Sequence, residues 1–308
     1  MMSSTAPILT DPAPRAAEKL AGEREYFITT KDDLKLRVRE WGAPGSPPVV
    51  LLHGLRGFSG TWRNLANALS RDWRLIAFDQ RGRGESDWDP AANYYTDAYL
   101  SDLETLVGEL NIGGFVLVGH SMGGTTAYVY AAKHPDRVEA LIIEDIAPGS
   151  SASGEGAERI KREMAALPND FDDWTAARAY WRSLRPNVSE EALEQRVVES
   201  LRETPAGRIG WRYDAAGISS TRLNPDPGRI VDLWPIVESI RVPSLIVRGE
   251  RSDFCKLDAV VEIEIRNRTF THVTVTGASH YVHDDAPEAF AGLFQGFLAG
   301  VRLAGAEQ

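Results

Sequence analysis

Cysteine is nearly missing from these 308 residues, Cys255 being the only one. That excludes an intrachain disulfide and a thiolate metal cluster built within one chain, and it fits a reducing, cytoplasmic setting. Blocks of consecutive lysine or arginine are also missing, and acidic residues outnumber basic ones 44 to 34, so the formal net charge is −10. Without a basic stripe there is no electrostatic grip on a phosphate backbone, and no nucleic-acid partner is expected. Nowhere do about 18 apolar residues run together, as a membrane span needs. The N-terminal "MMSSTAPILTDPAPRAAEKLAG" lacks the basic start and apolar stretch of a signal peptide. No membrane partner is expected, and residues 1–22, rich in Ala, Pro and Ser, read as a loosely ordered arm.

What is present is the balance of an ordinary globular chain, 43% hydrophobic and 25% charged residues, which argues against disorder and fibrous folds. Polar and apolar residues alternate in "EYFITTKDDLKLRVREW", on both sides of Lys-Asp-Asp, which predicts a hairpin with one solvated face. Beyond a Pro-rich turn come short continuous apolar runs: "PPVVLLHG", "WRLIAFDQ", "GFVLVGH" and "VEALIIED". Runs of this kind are what parallel strands buried on both faces look like. The segments between them, "GTWRNLANALS", "TDAYLSDLETLVGEL" and "TTAYVYAAKH", carry apolar residues at helical spacing. The alternation stops after Ile146 and resumes with "VPSLIVRG", "LDAVVEIEIRNR", "THVTVTG" and the amphipathic "PEAFAGLFQGFLAG". An α/β core over residues 23–147 and 236–308, interrupted by a helical cap over 148–235, is therefore expected.

Within "VLVGHSMGG" the serine at 121 stands where a buried strand turns abruptly into a helix. In that context Gly-x-Ser-x-Gly has a mechanism: a strained turn exposes Ser121 Oγ above the sheet, and the glycines keep helix and strand from clashing. The same turn aims the backbone N–H of Met122 at any oxyanion that forms. Together with His53-Gly54 after the third strand, "DQRGRGES" at 79–86 and "GASH" at 277–280, this motif makes the chain resemble the α/β-hydrolase superfamily from about residue 25 to 302. The glycines of "DQRGRGES" do not open a helix in the pattern of a phosphate cradle, so nucleotide binding is not expected.

The resemblance implies a mostly parallel eight-stranded sheet with helices on both faces, and a serine nucleophile with a histidine base and an acid. His280, after the last strand, is the implied base, with His283 as its competitor. A metal role for His283 lacks an evident third ligand, and no metal or organic cofactor is expected. The family's chain order of Ser, Asp, His points to Asp253 as the acid; its rival is Asp145, because some members place the acid there. Leu55 N–H is the implied second oxyanion donor. Among the remaining histidines, His120 is expected to pack beneath the elbow, and His134 and His272 to be structural.

The resulting expectation is a carboxylic ester hydrolase acting on a small molecule. Arg56, directly after the oxyanion loop, is the cation best placed to meet a substrate carboxylate, as in a monoalkyl phthalate. His53 is expected to brace that loop and is kept with Arg56, Trp181 and Trp211 among candidate substrate contacts. C–C bond hydrolases of similar size and lactonases are alternatives, although the C–C enzymes commonly carry Asn where His120 stands. Some family members are small-molecule receptors, so a complete triad leaves a binding function open.

Overall fold

The computed structural model describes residues 13–14, 19–186 and 188–306, so most of the arm expected over 1–22 lies outside the described residues. The chain opens with β1 (Arg24–Thr29), β2 (Lys35–Trp41) and β3 (Pro48–Leu52), then α1 (Arg63–Leu69), β4 (Arg74–Phe78), α2 (Thr96–Glu109), β5 (Phe115–His120), α3 (Met122–Lys133) and β6 (Val138–Glu144). The insertion carries α4 (Glu155–Ala165), β7 (Asp170–Phe171), α5 (Trp174–Leu184), α6 (Glu190–Ser200), β8 (Leu201–Glu203), β9 (Ile209–Trp211) and α7 (Ala215–Leu223), after which α8 (Leu233–Ser239) packs back onto α3 in the core. The core then resumes with β10 (Ser244–Gly249), α9 (Leu257–Arg266), β11 (Phe270–Val275), α10 (Val282–Asp285) and α11 (Pro287–Ala306).

Eight strands form one sheet in the order β1-β2-β4-β3-β5-β6-β10-β11. Only β1 with β2 and β2 with β4 pair antiparallel; the other neighbours run parallel. β5 is buried along its whole length, as its unbroken apolar run requires for a strand covered by helices on both faces. One face packs Leu103, Leu106, Tyr128 and Ile143 with their neighbours. The other packs Trp62, Leu65, Val118 and Phe294 with theirs. Burial of these side chains, about 1.5 to 3 kcal/mol each, is what drives the layers together.

The cap is not purely helical. β7, β9 and β8 make a small antiparallel sheet whose strands are two or three residues long. Segments this short show no period-two pattern, and Phe171, Ile209 and Trp211 are recognisable only by their common burial in a cluster with Trp181, Leu193 and Ile218. No described helix is long and apolar enough to cross a membrane.

Candidate active site

β5 ends at His120 and α3 begins at Met122, so Ser121 alone makes the turn, at φ 51° and ψ −116°. Positive φ is costly for a side chain with a Cβ, and it persists here because the surroundings leave no alternative. A Cβ on Gly119 would come 2.5 Å from the Gly123 carbonyl oxygen, and one on Gly123 would come 2.4 Å from that of Leu52. The serine N–H donates to the Glu144 carbonyl at 3.0 Å, which ties the elbow to the end of β6.

His280 Nε2 lies 3.0 Å from Ser121 Oγ. Its Nδ1 lies 2.7 Å from Asp145 Oδ2. Asp145 is fully buried, sits at φ 54°, accepts from the Gly249 N–H at 2.9 Å and from the Ser252 hydroxyl, and so has its orientation fixed from three sides. The expectation that Asp253 supports His280 is thereby corrected. Asp253 faces Arg159 of α4 at 2.7 and 3.0 Å, and that guanidinium holds its carboxyl below the usual range although burial acts the other way. The physical reason is positional: Asp145 leaves the sheet one strand nearer the serine, and the tight turn at its positive φ aims the carboxylate at the imidazole.

Leu55 and Met122 both line the cavity beside Ser121. Met122 is the first residue of α3, so its N–H has no partner within the helix and stands at the positive end of the helix dipole. Arg83, fully buried, braces this region by donating from Nε to the Leu55 carbonyl at 2.8 Å, with Nη2 3.3 Å from Met122 Sδ.

His53 braces the loop and does not line the cavity: its Nε2 accepts from the Gln80 N–H at 3.0 Å, and burial together with Arg83 pushes its pKa down to about 4. His120 packs beneath the elbow with Nε2 2.9 Å from the His280 carbonyl, and burial, His280 and His283 hold its pKa well below the usual histidine value. His134 and His272 meet Glu104 and Glu264 away from the serine. His283 rests on Glu144, with Nδ1 2.8 Å from each carboxylate oxygen. His120, Glu144 and His283 do gather closely enough to resemble a metal cluster, a third ligand the sequence left unseen. Hydrogen bonds to Glu144 and to the His280 carbonyl account for the grouping.

The cavity above Ser121 measures about 390 Å³ and is walled by Leu55, Met122, Ile146, Ile160, Leu223 and Phe254 among others. Arg56 lines it as expected, but its guanidinium is tied to Glu163 of α4. Trp181 and Trp211 do not line it: both are buried in the cap's own core, their rings 5.9 Å apart, and the Trp211 indole donates to the Pro168 carbonyl. A large aromatic in the sequence promises burial and says nothing of whether the ring faces a ligand or the core.

Residues 47–198 match the family model described as alpha/beta hydrolase fold. The chain is similar to the putative 2-succinyl-6-hydroxy-2,4-cyclohexadiene-1-carboxylate synthase of Bacillus subtilis, 33% identical over 89% of this chain and 98% of that protein. It is also similar to the sn-1-specific diacylglycerol lipase ABHD11 of Danio rerio, 30% identical over 83% of this chain and 80% of that one. Among solved structures, E-2-(acetamidomethylene)succinate hydrolase superposes with a TM-score of 0.80 at 28% identity, covering 90% of this chain and 99% of that one.

Proposed function

Because this chain belongs to the α/β hydrolase fold family, we propose that it is a serine hydrolase that cleaves a small carboxylic ester through an acyl-enzyme. The observation that carries the reading is the continuous line from Ser121 Oγ through both ring nitrogens of His280 to Asp145, with steps of 3.0 and 2.7 Å. A serine hydroxyl is a poor nucleophile at neutral pH, and an imidazole oriented by a buried carboxylate is what activates it.

In this reading Ser121 Oγ attacks the ester carbonyl carbon as its proton passes to His280 Nε2. The N–H groups of Leu55 and Met122 receive the oxyanion, a donor in such a place contributing about 3 to 4 kcal/mol in other enzymes. The carbonyl re-forms as the C–O bond to the alcohol breaks, and the alcohol leaves with the proton from His280. Water then attacks the acyl-enzyme, giving its proton to His280, and the acid departs as Ser121 recovers a proton. Asp145 stays ionised, holding the imidazole in the tautomer that presents Nε2 to the serine.

The lipase among the relatives supports ester chemistry, and the names of the other two carry carboxylates, which suits an ester that bears an acid group, such as an aromatic monoester of the monoalkyl phthalate kind. Hydrolysis of p-nitrophenyl butyrate by wild type and by Ser121→Ala tests the reading. Multiple turnover in the first and its loss in the second is the expected result. Turnover that survives in Ser121→Ala would refute the nucleophile, and a folded but inert wild type would turn the assignment toward C–C cleavage or ligand binding.

A further inference from the structure

Five lysine and arginine side chains line the cavity: Arg56, Lys161, Arg196, Arg222 and Arg229. Four of them are already answered by a carboxylate. Arg56 meets Glu163, Lys161 meets Glu158 at 2.9 Å, Arg196 meets Asp284 at 2.6 Å and Arg229 meets Asp97. Arg222, near the end of α7, has no carboxylate at ion-pair distance and no hydrogen-bond acceptor among the described residues. It is half-buried and faces the cavity beside Leu223, Ile230 and Val231, with Tyr94 and Tyr95 at the start of α2 on the same wall.

Leaving a guanidinium partly out of water without a counter-charge is unfavourable, and the site adds to the cost. Burial lowers the Arg222 pKa and Arg83 adds to that, with Tyr99 and Tyr95 opposing them in part. Arg83 itself spends its donors on the carbonyls of Leu55 and Arg81 and on the Tyr99 hydroxyl, and it too meets no carboxylate at ion-pair distance among the described residues. An uncompensated cation beside aliphatic side chains is what recognition of an organic anion requires: the acid group supplies the missing charge, and its apolar body covers the neighbouring aliphatic residues.

We propose that Arg222 is the residue that receives the substrate's carboxylate, and that Arg56, neutralised by Glu163, is a tie between loop and cap. The inference rests on the ester-hydrolase reading only for its kinetic test. That test compares monobutyl phthalate with butyl benzoate, which differ by one carboxylate. A charge-assisted hydrogen bond of ordinary strength predicts that Arg222→Met loses about ten- to a hundredfold more kcat/KM on the acid than on the neutral ester, and that Arg222→Lys recovers part of the difference. Arg56→Met is expected to show no such preference.

Calorimetric binding of monobutyl phthalate to Ser121→Ala, with and without Arg222→Met, reads the same discrimination where no ester is turned over. Loss of binding in the double variant, with an unchanged melting temperature, supports the assignment. Equal losses on both esters, a selective loss in Arg56→Met, or binding of monobutyl phthalate no tighter than that of butyl benzoate would overturn it. Failure of hydrolysis alone, with Arg222-dependent binding intact, would count against the reaction and leave the carboxylate site standing.

Discussion

Two histidines three residues apart, His280 and His283, rest on two acids adjacent in the chain, Asp145 and Glu144. In both pairs Nδ1 meets a buried carboxylate, at 2.7 and 2.8 Å. They part company at the other ring nitrogen. His280 Nε2 reaches a serine hydroxyl, whereas His283 Nε2 makes no hydrogen bond among the described residues and has only Asp284, 3.7 Å away. A carboxylate–imidazole pair is thus a piece of packing that occurs twice here, and what sets one of them apart is the elbow that brings Ser121 to its far side.

The largest effect should come from breaking the first pair. Asp145→Asn removes the acceptor that fixes the tautomer, and by analogy with other triads kcat on p-nitrophenyl butyrate should fall about 10³- to 10⁴-fold with little change in KM. Asp253→Asn should cost less than about tenfold, since that carboxylate serves Arg159; the reverse ranking would refute the choice of acid.

Breaking the second pair should be felt in stability. Glu144→Gln removes the buried carboxylate on which His283 Nδ1 rests, and losing one partner of a comparable buried pair costs about 3 to 5 kcal/mol. Denaturant unfolding measures that loss, and kcat per folded molecule should change far less than in Asp145→Asn.

A smaller, pH-dependent effect sharpens the contrast. Burial opposes charge on His283, but Glu144 and Asp284 outweigh it and raise its pKa above the usual 6.5. A raised folded-state value means stabilisation that is complete below about pH 6.5 and fades as the pH climbs through the folded pKa. The stability difference between wild type and His283→Gln should therefore narrow from pH 6 toward pH 9. A difference that widens would show that the imidazole is neutral in the folded protein.

The core was legible because its signals are local. The apolar runs of β3 to β6 and the glycines at 119 and 123 report burial and close approach within a few residues, and His280 was identified by its place after the last strand. The acid was harder. Asp145 and Asp253 both follow a strand of the sheet, and only the φ of 54° at Asp145 and the cap's Arg159 decide between them; neither is written in a nearby residue. The same holds in the cap. Glu163, 107 positions from Arg56, gives no sign in the sequence of being its partner, and the lack of a partner at Arg222 leaves no pattern at all. Trp181 and Trp211 are not ligand contacts because their rings pack with one another and among Phe171, Tyr180 and Tyr213.

The tie between cap and core has a consequence for alignment. Along one side of α4, Arg159 and Glu163 are one turn apart, and across from them stand Asp253 and Arg56. The four charges alternate in sign. If α4 moved along its axis by a turn in one direction, Arg159 would confront Arg56; in the other, Glu163 would confront Asp253. Like charges at such distances repel, so the two pairs work as a key that admits one register, and a roof built from a separate stretch of chain is indexed to the loop that carries Leu55 and Arg56.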